Sequence, residues 1–233
     1  STSRGLGDVY KRQDTYYMIC ATMHFFPGGT LLKSYDLVHW EIAAHVFERL
    51  DDTPAEQLEG EQSIYGKGMW AASLRYHKDT FYVCFASYDT GKTYIYRTKN
   101  INEPWEKRSL DGVYHHPSLL FDEDGRIYMG YGFNEVRILE LNDTLTAPKE
   151  GGFERLLVEE KQDAYISYEG AHFYKKDGTY YIFVIQWLKG NLTQREQLCL
   201  YGDSLDGEFK KEMVFSENLG FPMKGVAQGG ICL

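Results

Sequence analysis

Trp70, His116 and Glu169 each lie twelve residues before a tyrosine, Tyr82, Tyr128 and Tyr181, that marks the same place in a recurring stretch of sequence. A carboxyl and an imidazole brought to one point can share a proton. A protonated imidazole favours the carboxylate, whereas a neutral one can still orient the carboxyl. An indole adds a broad apolar face. Each residue also has a plainer reading. Glu169 could be a strand-end carboxylate, Trp70 could be core between sheets, and His116 reads first as a satisfied structural histidine.

The elements that must position these residues are short strands. Thr15-Tyr16-Tyr17-Met18, Thr80-Phe81-Tyr82-Val83, Arg126-Ile127-Tyr128-Met129 and Thr179-Tyr180-Tyr181-Ile182 share one pattern, with their marker tyrosines 65, 46 and 53 residues apart. Three of them follow a second apolar run and a polar turn, such as Asp122-Glu123-Asp124-Gly125 or Lys175-Lys176-Asp177-Gly178. Asp-Gly between apolar runs signals a hairpin, so the acidic residues of these turns read as turn chemistry rather than as metal ligands. Each unit reads as an antiparallel sheet of three or four strands, and units of this length predict an all-β chain, a β-propeller. Four blades fit, and 225–233 reads as the first strand of a fifth, giving an incomplete five-bladed propeller. The first strands of the blades line its axis, which places Trp70, His116 and Glu169 together. The count puts Gly5 at the axial position of blade one. Segment 42–58 has the best helical periodicity, but its acidic run suits an exposed loop equally.

The chain has 233 residues, enough for one domain, and 43% are hydrophobic, enough for a core. A net charge of −9 argues against nucleic acid and against membrane surfaces. The longest uncharged apolar run is Tyr180–Leu188, well short of the ~20 residues of a spanning helix. The four cysteines are far apart and form no C-x-x-C pair, which leaves no zinc or redox motif. No secretory signal opens the sequence, and the expected location is cytoplasmic. Residues 1–13 read as a leader foreign to the domain, and 14–233 as the domain.

Six segments in order carry a family resemblance: Tyr16-Tyr17-Met18 with Met23 to Gly29, Ser34 to Trp40, Met69-Trp70-Ala71-Ala72, Pro117 to Gly125, Tyr168-Glu169-Gly170, and Gly225 to Gly230. The chain resembles glycoside hydrolase family 43, five-bladed propeller enzymes that cleave β-xylosides and α-L-arabinofuranosides. The resemblance implies inverting hydrolysis, in which a general acid and a general base stand roughly 6.5–9.5 Å apart. It makes Glu169 the general acid and Trp70 an aromatic wall of a sugar pocket. His24 and Phe25 fall in the blade-one loop beside that pocket, and Gln228 at the axial position of blade five. The partner it implies is a small arabinose- or xylose-containing carbohydrate. It calls for no cofactor, and no metal ligands are assigned, although relatives leave room for a central cation. Two departures stand out. The family's carboxylate that tunes the acid should precede Pro117, where this chain has His116. The blade-one base is not visible. A catalytically dead sugar-binding propeller is therefore the alternative, ahead of a protein-interaction propeller, and slow or absent turnover is expected.

Overall fold

The hairpin signals become sixteen strands in a computed structural model that describes residues 7–159, 164–189, 195–217 and 219–220. They form four four-stranded antiparallel sheets, each a meander of strands adjacent in sequence. Consecutive strands linked by short turns are the cheapest antiparallel pairing to close. The described residues hold no helix. The sheets fall into two compact units, one built on the described residues up to Tyr114 with Leu145–Ala147, the other on His115–Thr144 and the described residues from Pro148 onward.

In the first unit, β1 (Gly7–Arg12), β2 (Thr15–Cys20), β3 (Gly28–Ser34) and β4 (Glu41–Phe47) form one sheet, and β5 (Met69–His77), β6 (Thr80–Ser87), β7 (Lys92–Thr98) and β8 (Glu106–Asp111) the other. Strand β1, inside the stretch read as a leader, pairs with β2 from Gly7↔Cys20 to Arg12↔Thr15. Its Arg12 guanidinium lies over the rings of Tyr76 and Phe81. The apolar alternation of β2, β3, β5 and β6 fills one core, with Ile19, Leu31, Leu74, Val83 and Phe85 fully buried. Phe47 stacks on Phe85 and Tyr96 at centroid separations of 5.5 and 5.4 Å.

Segment 42–58 is neither a helix nor wholly a loop. Its first part is β4, which ends in the adjacent buried pair Val46 and Phe47. The pairing steps from Leu31↔Ala44 to Leu32↔Ile42, so Ala43 is an extra, bulged residue. One inserted residue breaks the two-residue alternation and imitates helical spacing. The acidic remainder is turns, closed by Glu56, whose carboxylate accepts from Asp51 N and Asp52 N.

In the second unit, β9 (Ser118–Phe121), β10 (Ile127–Tyr131), β11 (Glu135–Leu141) and β12 (Glu154–Glu159) form one sheet. The other comprises β13 (Ala164–Lys176), β14 (Thr179–Leu188), β15 (Glu196–Gly202) and β16 (Lys210–Phe215). Leu120, Tyr128 and Ile138 of one sheet pack with Tyr168, Phe173, Ile182 and Val184 of the other in a single core. Gly130 permits this approach, because a Cβ there would sit 3.3 Å from the Phe173 ring. A chain this rich in aromatics can fill such sheet-to-sheet gaps with few residues.

The marker tyrosines divide by burial. Tyr128 is fully buried, while Tyr17, Tyr82 and Tyr181 are half-buried. All four sit at matching places in the second strand of their sheets, paired with Tyr10, Arg75, Leu120 and Tyr174 of the first. That partner lies seven residues before the tyrosine in three sheets and eight before it in the sheet of β9. The hairpin at Asp122–Gly125 is therefore one residue longer than its counterparts, which matters for the site.

Candidate active site

Glu169 sits within β13 where the register against β14 shifts on both sides of it, between Ile166 and Glu169 and between Glu169 and His172. Bulges re-aim side chains and are frequent beside functional groups. Gly170 follows in the left-handed region (φ 72°), a conformation that costs glycine little. In the neighbouring sheet, His115 and His116 immediately precede Pro117 and β9. Because of the longer hairpin, strand register matches His115, not His116, with Glu169. The same register matches His116 with Gly170, and His116 too is left-handed, at φ 47°. A non-glycine residue held there costs on the order of 1 kcal/mol, a cost borne here at a site where three polar side chains meet.

The Nε2 of His115 lies 3.3 Å from Glu169 Oε1, and His116 Nδ1 lies 3.6 Å from the same oxygen. The two imidazoles stack at 3.9 Å with their planes 20° apart. All three side chains are largely withdrawn from water, at 11%, 2% and 12% exposure. Burial pushes His116 well below the usual imidazole range, and the nearby His115 and His172 push it the same way. His116 is therefore neutral at pH 7 and does not act as the cation that would hold Glu169 ionised. Phe133 closes one side, edge-on to His115 at 5.1 Å.

Direct bonds within and between the two sheets of this unit fix the cluster. Phe173 N donates to Ser118 Oγ of the other sheet at 2.9 Å, and Gly132 N donates to His115 O across the β9–β10 hairpin at 3.0 Å. Asn134 N donates to Tyr168 O, one residue before Glu169, while Asn134 Oδ1 accepts from Ser167 N, each at 2.9 Å. At the far end of the same strands, the buried Asp122 carboxylate accepts from Lys175 Nζ and from the Tyr180 hydroxyl, both at 2.6 Å. The bond to Asp122 holds the Lys175 ammonium above its ordinary range, and although burial pushes the Asp122 carboxyl up, the bonds from Lys175 and Tyr180 keep it below the usual carboxylate range. Asp122, expected only to shape a turn, thus also locks the hairpin of β9 and β10 to that of β13 and β14.

The first unit assembles the other predicted residues around Gly66. Trp70 Nε1 donates to Gly66 O at 3.2 Å, and Gly66 N donates to His24 Nδ1 at 3.4 Å. His24 lies against Phe25 and Tyr65, with centroids 4.4 and 4.5 Å away, and Trp70 meets Tyr88 edge-on at 5.1 Å. Phe25, Tyr65 and Tyr88 are all exposed. The loop is pinned by Met69 N donating to Met23 O at 2.7 Å. Gly68 is required beside that bond, since a Cβ there would fall 2.1 Å from Met23 O. Trp70 with Tyr88, and His24 with Phe25 and Tyr65, thus form two ring groups joined through the Gly66 backbone; sequence reasoning did not single out Tyr65 or Tyr88. Gln228 and Gly5 lie outside the described residues.

The count of twelve selects His116 rather than His115, and the reason is the longer hairpin. The five residues from Asp122 to Arg126 between the paired Phe121 and Ile127 exceed what the other hairpins allow. Allowing for that extra residue moves the count of twelve from His116 to His115.

The model of the family described as "Glycosyl hydrolases family 43" matches residues 7–211. A β-xylosidase from Formosa agariphila is 28% identical, over 96% of this chain and 41% of that protein. A non-reducing end α-L-arabinofuranosidase from Bacteroides ovatus is 33% identical, over 72% of this chain and 31% of its own length. Among solved structures, a bifunctional GH43-CE protein of Bacteroides eggerthii superposes with a TM-score of 0.90 at 35% identity, covering 98% of this chain and 29% of that one. The chain therefore spans less than half the length of these relatives.

Proposed function

The chain belongs to family 43 of the glycosyl hydrolases, and from that premise we propose that it cleaves β-xylosides or α-L-arabinofuranosides with inversion, Glu169 acting as general acid. The Glu169 carboxyl gives its proton to the glycosidic oxygen as the bond from that oxygen to the sugar C1 breaks, and water adds to C1 from the opposite face. The observation that carries this reading is the setting of Glu169, 12% exposed, with His115 at 3.3 Å and His116 at 3.6 Å. A neutral His116 sets no positive charge beside the carboxyl, and the contact from His115 orients it. A His in place of a tuning carboxylate forgoes the like-charge repulsion that raises an acid's pKa, so turnover is slow. Trp70 supplies a flat apolar face for a pentose ring, with His24 and Phe25 shaping its border. The four described sheets are then four blades of five, the number the family resemblance implies.

The test is incubation with 4-nitrophenyl β-D-xyloside and with the α-L-arabinofuranoside, the released anomer being followed by proton NMR. Slow release of the inverted pentose from at least one of them is expected. Release of the retained anomer, or none from either, overturns the reading.

A further inference from the structure

We propose that His115, His116 and Glu169 form a binding site for a divalent transition-metal ion of the Zn²⁺ class. The ligand atoms of the three residues all lie within 4.8 Å of one another. With bonds of about 2.0–2.1 Å and tetrahedral angles, two ligands of one zinc ion stand about 3.4 Å apart. His115 Nε2 and His116 Nδ1 lie 3.3 and 3.6 Å from Glu169 Oε1, so both imidazole-to-carboxylate edges already have that length. Two imidazoles and one carboxylate are a donor set that suits zinc and its neighbours, whereas calcium and magnesium prefer oxygen throughout.

The backbone supplies the convergence. Adjacent residues in a regular strand point to opposite faces, yet His115 and His116 stack and meet the same oxygen. The left-handed turn at His116 is what breaks the alternation. The bulged register around Glu169 brings the third ligand in from β13; the bond Phe173 N to Ser118 Oγ ties β13 to β9, and Gly132 N to His115 O ties the histidine segment to β10. The donor atoms thus converge, one imidazole has to turn out of the stack to aim its in-plane lone pair at a shared ion, and three protein ligands leave a fourth position for water or a substrate oxygen. A metal bound here occupies the lone pair that Glu169 needs to carry a proton, so the ion is expected to inhibit hydrolysis.

The inference stands on the three side chains and does not rest on the proposed hydrolysis. Co²⁺ is titrated into the chain and its visible ligand-field absorption recorded, with Zn²⁺ then added as competitor. One Co²⁺ per chain, displaced by Zn²⁺, is expected. Glu169→Gln keeps the size of the side chain and removes the carboxylate ligand, and His115→Gln removes an imidazole donor while staying polar. Each should weaken uptake at least about tenfold, which loss of an outer-shell partner alone can cost. Circular dichroism confirms that each variant is folded, and Zn²⁺ should raise the melting temperature of the parent chain but not of Glu169→Gln. Failure to take up Co²⁺ at submillimolar concentration, or equal uptake by both variants, overturns the proposal. An active chain that takes up no metal would defeat this inference alone, and an inactive one that binds the ion would defeat only the hydrolytic reading.

Discussion

Replacing Asp122 by Asn tests whether the site is held together at the opposite end of its strands. Asp122 is buried, and its carboxylate accepts from Lys175 Nζ, Tyr180 Oη and Glu123 N, each at 2.6 Å. Asn keeps the shape but sets an NH₂ donor against either the ammonium or the hydroxyl. A hydrogen bond to a charged group contributes about 1.5–3 kcal/mol, and breaking a buried pair costs about 3–5 kcal/mol. Lys175 keeps some contact with water and lies 3.8 Å from Glu123, which puts the expected loss at the lower end, about 3 kcal/mol. For a chain of this size that is roughly 6–12 °C in melting temperature. The sign with pH is fixed by the direction of the shift. Asp122 lies below its ordinary value in the fold, so its contribution is complete above the unfolded value of about 3.9. It is lost as pH falls through the folded value. The gap between parent and D122N, measured by urea unfolding, should therefore be widest at pH 7 and shrink toward pH 3. A double-mutant cycle with Lys175→Met should show coupling of about 1.5–3 kcal/mol. A gap under about 1 kcal/mol at pH 7, or one that stays constant with pH, refutes the argument.

His116→Asp places a carboxylate beside Glu169; like-charge repulsion should move the alkaline limb of the pH profile of kcat/KM upward by about one unit, and an unmoved limb counts against His116 as the tuning position. Trp70→Ala should raise KM about 5- to 30-fold with a smaller change in kcat, as loss of about 1–2 kcal/mol of uniform binding does; steady-state kinetics showing the loss entirely in kcat would argue against a platform for the sugar. Gly68→Ala forces a Cβ onto Met23 O and should cost about 1–3 kcal/mol of stability while weakening sugar binding, both readable by thermal melts with and without ligand; an unchanged melt would mean that the loop relaxes freely.

The strands were legible because each hairpin announces itself twice, by alternation and by its polar turn. Tyr17, Tyr82, Tyr128 and Tyr181 do occupy matching places. What alternation cannot report is an inserted residue. Ala43 imitates helical spacing by bulging out of β4, and the longer hairpin at Asp122–Gly125 shifts the count by one, so that it selects His116 rather than His115. The motifs pointed to Glu169, Trp70, His24 and Phe25 as candidates. They did not mark these residues' partners: Tyr65 and Tyr88 come from loops whose paths depend on single bonds such as Met69 N to Met23 O. The neutrality of His116 is likewise a matter of burial, which residue type alone does not convey.

The most direct measurement compares parent and Glu169→Gln on two pentosides of the same sugar, one with an activated dinitrophenolate leaving group and one with an alkoxide. A dinitrophenolate departs without a proton, whereas an alkoxide needs one. If Glu169 is the acid, the variant loses about 10²- to 10⁴-fold in kcat on the alkyl pentoside and little on the activated one. An equal loss on both, or none on either, would contradict the assignment.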